Sequence, residues 1–440
     1  MFRLTSLVPI PAKPALVAIV WCGGFAMELA SQTSPLAVPP LAPRQIYRKA
    51  DTLRSAKAYA SAVLLYTQAA PVGEFKRFIS DTYYAAAYTY ALAGDKDSAF
   101  KYLNVAFDAG WNNRQHLLTD SDLDSLHQDP RWRVAVSRNT DPKPAGTDPA
   151  TAPFVTSDIR NFWNAYDMAE KDPANRLAIY KREYIDRGSV GLQDYFYFKV
   201  SSVKAFVDGH DRRPRFYAAI RKNTLSIDDR ISQFRESLVK LKAIYPGATF
   251  PNTYFLIGSF SSGGTTSDHG LLLGIDQGVR TPDIPVDELT LWEQNNFTPI
   301  ERIPRLIAHE LVHFQQDSLR RERTLLCAAL VEGMADFIGE LISGATANPR
   351  IHQFARGKER QILMDFAKEM FDDRARNWIA NSDQETADKP ADLGYWVGYV
   401  ISKGYYNRAA DKNQAVWDML HIKDYRAFLK ASGVEELQGT

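Results

Sequence analysis

The chain of 440 residues carries 53 basic against 52 acidic side chains, for a formal net charge of +1. That balance, with no strong basic tract, gives no electrostatic support for a nucleic-acid partner. With 45% hydrophobic and 24% charged residues the composition is that of an ordinary globular protein, long enough for two or three domains with a real core.

The first thirty residues stand apart. Arg3 and Lys13 precede the apolar stretch PALVAIVWCGGFAM, which Glu28 closes. It falls short of the roughly 20 apolar residues of a membrane span, so no transmembrane span is expected. A basic start, a short apolar run and small residues after it describe a signal peptide over residues 1–30, cut after Ala26 or Ala30. The expectation is an exported chain, in the bacterial periplasm or outside the cell. Cys22 hints at a lipid anchor, but Trp21 stands where a small residue is wanted. Removal of this segment leaves Cys327 as the one cysteine, so no intramolecular disulfide is expected, and its apolar neighbours predict a buried thiol.

Residues 31–44, SQTSPLAVPPLAPR, read as a proline-rich lead-in. From 45 to 137 the pattern is helical and partly repetitive. Ala87, Tyr90, Ala99, Leu103 and Ala106 stand at the spacings of a tetratricopeptide repeat, with Gly94-Asp95 as the turn between its helices. An earlier, degenerate unit offers Ala62, Tyr66 and Ala69 in the same relation. Two units are fewer than a stable solenoid needs, so LLTDSDLDSLHQDPRWRVAV is expected to add a capping helix and the array to rest on the next domain. Such repeats serve either as a protein-binding surface or as a helical spacer. Residues 138–154 have no apolar period and read as a linker that lets the two domains move.

The second domain runs from 155 to 440. IDDRISQFRESLVKLKAIYPG is an amphipathic helix, with Ile227, Ile231, Phe234, Leu238 and Leu241 on one stripe and Gly247 ending it. TYFLIGSF (253–260) and GLLLGID (270–276) predict two strands, paired as a hairpin around a long Gly/Ser/Thr loop. Helical patterns continue to the C-terminus. The fold expected is mostly α with a small β-sheet.

The segment TPIERIPRLIAHELVHFQQ carries the chemistry. Thr298 reads as its N-cap, with Pro299 at the first helical position, and Pro304 as a restart. His309 and His313 are four apart, so both imidazoles leave one face of the helix about one turn apart. Two such imidazoles can share a zinc ion, and the carboxylate of Glu310, roughly 100° around the helix, can reach a water on the metal without binding it. The plain alternative is two histidines in an ordinary helix, and a third ligand decides between them. A metzincin needs Gly at 316 and His at 319, where this chain has Gln316 and Leu319. An aspartate-ligand site needs a downstream motif that is not found, although Asp336 is available. Glu332, nineteen residues after His313 on the predicted helix LVEGMADFIGEL, meets the glutamate option. Asp336 lies one turn further on the same face, placed to accept the free ring N–H of a zinc-bound histidine.

HELVH followed by EGMAD resembles the glutamate zincins (gluzincins), metallopeptidases that include aminopeptidase N and thermolysin. Over residues 155–440 the chain is similar in particular to a bacterial family of zinc-dependent proteases. Their order is strand hairpin, HExxH helix, E-G-x-A helix and terminal G-Y-x-x-G-Y helix, matched here by GGTTSDHGLLLGID, IAHELVHFQQ, VEGMADFIGEL and LGYWVGYVISKGYY. The resemblance implies an α+β zincin-like metallopeptidase domain behind the helical repeats, with one Zn2+ per chain on His309, His313 and Glu332 and water in the fourth position. Glu310 is then the general base that takes the water's proton and passes it to the leaving amine. Asp336 orients a zinc histidine, by analogy His309. GLLLGID is the candidate edge strand for the substrate backbone. The oxyanion donor is open among Tyr395, Tyr399 and His269, and core packing beside Gly394 and Gly398 explains either tyrosine as well. The activity implied is hydrolysis of peptide or protein substrates. No signature for capturing a free amino terminus stands out, which favours an endopeptidase. The rival is an exported binding or scaffold protein that engages a protein partner through the repeats and carries a structural or silent zinc site. Glu310 argues against it, since a structural site needs no base.

Overall fold

Alanines set the spacing of the first four helices. α1 (Pro43–Ser55), α2 (Tyr59–Ala69), α3 (Lys76–Leu92) and α4 (Lys96–Asp108) each pack on the next, and Ala62, Ala69, Ala87, Ala99 and Ala106 are all buried. Tyr66 and Leu103 fill the space between helices that these small residues let approach. Gly94 takes φ +83° and Asp95 caps α4 by accepting from the Ser98 N–H, forming the turn expected there. Tyr90 is only half-buried and stacks on Tyr102. The shorter α5 (Arg114–Thr119) and α6 (Pro130–Arg138) follow, and Trp111 lies flat on Tyr84 with ring centroids 4.1 Å apart.

This computed structural model describes residues 41–139, 145–316, 319 and 322–434. The expected signal segment and residues 31–40 of the lead-in lie outside the described residues. No helix among those described is long and apolar enough to cross a membrane.

The helical unit has its own core, and one of its faces joins a second, larger core. Ala69, Phe75 and Phe78 belong to the larger one, where Phe75 meets Phe196 edge-on at 5.6 Å. The Arg44 guanidinium donates to the carbonyls of Tyr197 and Val200 at 2.6 and 3.1 Å, and Glu74 accepts from the Val203 N–H. The linker is also less free than its composition predicts. Phe250 N–H donates to the Gly146 carbonyl, Arg235 binds the carbonyls of Pro149 and Ala152, and Ala152 is buried. Phe154, placed in the linker by sequence, already belongs to the sheet.

Four strands form that sheet: β1 (Phe154–Val155), β2 (Asn252–Leu256), β3 (Gly264–Ser267) and β4 (Gly270–Gly274), in the order β1-β2-β4-β3. β2 and β4 run parallel, Asn252 opposite Gly270 through Leu256 opposite Gly274. The expected hairpin between these two segments is therefore corrected. The stretch read as its loop contains β3, which pairs antiparallel with β4 around the turn Asp268-His269. GLLLG is correspondingly an interior strand, buried at all five positions, and the edge is β3, half-buried throughout. An unbroken apolar run suits a strand covered on both faces, and Thr and Ser suit an edge. Gly270 has φ +139°, and a Cβ there would stand 2.1 Å from the Asn252 carbonyl oxygen.

The approach to β3 is fixed by buried polar groups. The Asp276 carboxylate accepts from the N–H groups of Gly258 and Phe260 and from the Tyr217 hydroxyl, holding Ser259 and Phe260 at positive φ. The Tyr195 hydroxyl donates to the Ser262 carbonyl at 2.6 Å and accepts from its N–H. The amphipathic segment splits into a 3-10 turn, Ser226–Arg230, and a helix, Ile231–Ile244, with Ile227, Phe234, Leu238 and Leu241 buried.

His210 lies inside an aromatic cluster, its ring centroid 3.9 Å from that of Tyr217 and 4.3 Å from that of Phe206. Burial pushes its pKa down from 6.5 to about 3. Between those values the unfolded chain binds a proton that the folded chain does not, so stability is lost as pH falls below 6.5. Urea unfolding at pH 7 and pH 5 is expected to show this loss, with about 2 kcal/mol of it absent in His210→Phe.

Candidate metal centre

The histidine helix spans Ile303–Gln315 and follows a 3-10 turn, Ile300–Arg302, with Pro304 in its first turn. Pro304 thus marks the start, and Arg302 rather than Thr298 holds the cap position; the Thr298 hydroxyl donates to the Gln277 carbonyl instead. Ile303, Ile307, Ala308, Leu311 and Val312 are buried, while Leu306 and Phe314 are half-buried. The glutamate helix, Leu325–Ser343, begins where the Thr324 hydroxyl accepts from the Cys327 N–H and ends at left-handed Gly344. Cys327 is buried and free, as its neighbours predicted.

These two helices bring three ligand atoms together. The Nε2 atoms of His309 and His313 are 3.0 Å apart. Glu332 Oε2 lies 3.1 Å from the second and 3.5 Å from the first. A tetrahedral zinc site with bonds of 2.0–2.1 Å has ligand–ligand edges of about 3.3 Å, so this triangle has the size a zinc ion takes. Among the described residues this is the one His/Cys/Asp/Glu group of three close enough to hold a metal.

The outer nitrogens are occupied. His309 Nδ1 lies 2.8 Å from Asp336 Oδ1, and the other oxygen of that buried carboxylate accepts from the Asn348 amide at 2.7 Å. His313 Nδ1 lies 2.9 Å from Gln316 Oε1, and the Gln316 amide nitrogen donates to the Val331 carbonyl. Acceptors on both Nδ1 atoms put the ring protons there and leave the Nε2 lone pairs facing the triangle, as metal-binding imidazoles require. Burial opposes charge on Glu332, and charge and hydrogen bonds from His309 and His313 in their protonated forms outweigh it and hold that carboxyl well below the usual range. A metal ion would take the place of those protons.

Glu310 is 5% exposed and packs against the edge strand: a Cβ added at Gly264 would come within 2.4 Å of its Oε1. Burial raises its pKa above the ordinary glutamate value, although both histidines pull it down. Of the two tyrosines the structure brings only Tyr395 to the cluster. Its ring lies 6.1 Å from that of His309 and within 11° of parallel, and burial together with the Glu332 charge keeps its hydroxyl protonated. The Tyr399 hydroxyl is turned to Glu340, at 3.0 Å, and accepts from Lys403. His269 sits at the β3–β4 turn, its Nδ1 2.7 Å from Asp194, and belongs to a different part of the surface.

Tyr395 reaches the cluster because the tyrosine helix, Leu393–Arg408, crosses the glutamate helix without side chains between them. A Cβ at Gly333 would lie 2.1 Å from Tyr399 N, and one at Gly398 would lie 1.8 Å from the Ala329 carbonyl oxygen.

Three participants escaped the sequence reading. Gln316, three residues past His313 on the same face, had a usable spacing. Asn348, in the segment beyond Gly344, and Gly264, on the edge strand, left no local signal. Comparisons with known protein families, curated proteins and solved structures find no match to this chain.

Gly398→Ala is expected to force the two helices apart, with a loss of about 1–3 kcal/mol or more in chemical unfolding. Gly264→Ala is expected to be destabilising with Glu310 present and nearly neutral in a Glu310→Ala background. The double-mutant cycle should give a coupling of about 1 kcal/mol or more.

Proposed function

We propose that this chain is a zinc-dependent metallopeptidase acting on extended peptide segments. The observation that carries the reading is the convergence of His309 Nε2, His313 Nε2 and Glu332 Oε2, with both outer ring nitrogens already occupied. Zinc held by these three residues supplies Lewis acidity, polarising a carbonyl and lowering the pKa of a water toward 7.

The chain's own groups supply the rest. Glu310, beside the triangle and outside it, takes the proton of the attacking water and delivers it to the leaving amine. Asp336 and Asn348 hold the His309 ring, and Gln316 holds His313. Tyr395, with its hydroxyl protonated, donates to the carbonyl oxygen as negative charge gathers there. The outer edge of β3, which runs past Glu310, offers backbone groups to an extended peptide. Residues 1–30 support export of the chain, and the buried carboxylate at Glu310 favours an enzyme over a scaffold with a structural metal.

Metal analysis and hydrolysis of an unfolded protein test the reading together. One zinc per chain is expected in the wild type, lost in Glu332→Ala and kept in Glu310→Gln, with hydrolysis reduced at least about 100-fold in both variants. A chain that takes up no zinc on reconstitution would overturn the proposal. So would a Glu310→Gln variant with undiminished hydrolysis.

A further inference from the structure

Along β3, Gly264 touches Glu310 and Ser267 leads into the turn Asp268-His269. At about 3.3 Å per residue, that turn lies about 13 Å from Gly264. It does not end in open solvent. It enters a cleft of about 290 Å³ whose opposite wall comes from the N-terminal helical unit. The Asn113 amide of that unit donates to Asp268 at 3.2 Å, so the two halves meet at the mouth.

The cleft is built for positive charge. Asp81, Asp194 and Asp268 surround the Arg77 guanidinium at 3.0, 3.3 and 3.9 Å. Three carboxylates face Arg77, the Lys76 ammonium at the rim, which donates to the Asp186 carbonyl, and the His269 imidazole on Asp194; with that imidazole neutral the excess is one negative charge. A second feature points the same way. Gln193 lines the cleft at 7% exposure, its amide nitrogen committed to the Ile185 carbonyl, and its Oε1 has no partner among the described residues. A buried acceptor without a donor is destabilising until something supplies a hydrogen bond. Trp111, stacked on Tyr84, adds a strip of apolar wall that suits the methylenes of a long basic side chain.

We propose that this cleft is a subsite for a lysine or arginine side chain of the substrate, about four residues from the bond cleaved, so that the helical unit takes part in substrate selection. The inference rests on the peptidase reading, and it gives the repeats a task other than recruiting a separate partner. A peptide laid along the outer edge of β3 is led by the strand into the cleft. Asp268, 41% exposed at the side chain, is the carboxylate best placed to meet an incoming cation.

The test is cleavage of a randomised dodecapeptide library by the zinc-loaded full chain, with cut sites mapped by mass spectrometry. Lysine and arginine are expected to be enriched at least threefold at three to five residues from the cut, on one side only. Asp268→Asn should weaken that enrichment and Asp268→Lys should turn it toward aspartate and glutamate. Cleavage with no such enrichment, or with enrichment indifferent to both variants, overturns the subsite and leaves the peptidase standing. Absence of any cleavage overturns the peptidase. The cleft is then decided by fluorescence anisotropy with a labelled Lys/Ser dodecapeptide and its Glu/Ser counterpart. At least fivefold tighter binding of the basic peptide, lost in Asp268→Lys, supports a cation site, and equal binding of the two overturns it.

Discussion

The glutamate helix and the tyrosine helix touch backbone to backbone at Gly333 and Gly398, and the candidate centre is laid out around that contact. Glu332 precedes the first glycine, and Tyr395 stands three residues, nearly one turn, before the second. Any side chain at the crossing would separate the axes and carry the Tyr395 ring away from His309. Glycine inside a helix costs about 1 kcal/mol relative to alanine, and here the dense contact between two backbones offsets it. The arrangement also divides the two tyrosines. One full turn separates Tyr395 from Tyr399, enough to turn the first toward Glu332 and the second toward Glu340.

The histidine helix is positioned by a separate set of contacts. Its last turn is tied to the segment before β2, where Gln315 exchanges two hydrogen bonds with the Thr249 backbone. Its two imidazoles are steered by acceptors on different elements, Asp336 on the glutamate helix and Gln316 at its own end. The edge strand is held by a third set, through Asp276 and Tyr195. Three supports with no shared residue meet around the triangle of ligand atoms and the Glu310 carboxylate beside it.

What could be read from the sequence follows from how local each relationship is. The pair His309 and His313 lies within a single turn, and Glu332 and Asp336 within another, so helical periodicity alone gives their faces. The small residues of the repeats and the Gly94-Asp95 turn were equally readable. The sheet was not. Its order depends on β2 and β4 lying side by side in parallel, a long-range pairing for which GTTS, polar and short, gives no strand signal of its own. The linker misled for a related reason: Gly146, Pro149 and Ala152 are held through backbone carbonyls and a buried methyl group, and composition records none of these. Choosing Tyr395 over Tyr399 required the helix crossing, which two glycines suggest but do not orient.

The division into two cores has a consequence for biosynthesis. Among the described residues the smaller core draws its buried members from Ala50 to Ala135, with Tyr47 and Val136 packed against them, so it can close while the remainder of the chain is still being made. Ala69, Phe75 and Phe78 then wait, bare, for partners such as Phe196 to emerge. β1 waits longer, since its neighbour begins at Asn252. Last comes the crossing at Gly398, which cannot form until nine-tenths of the chain has left the ribosome. The helical unit can therefore close long before the ligand atoms of His309, His313 and Glu332 are brought together.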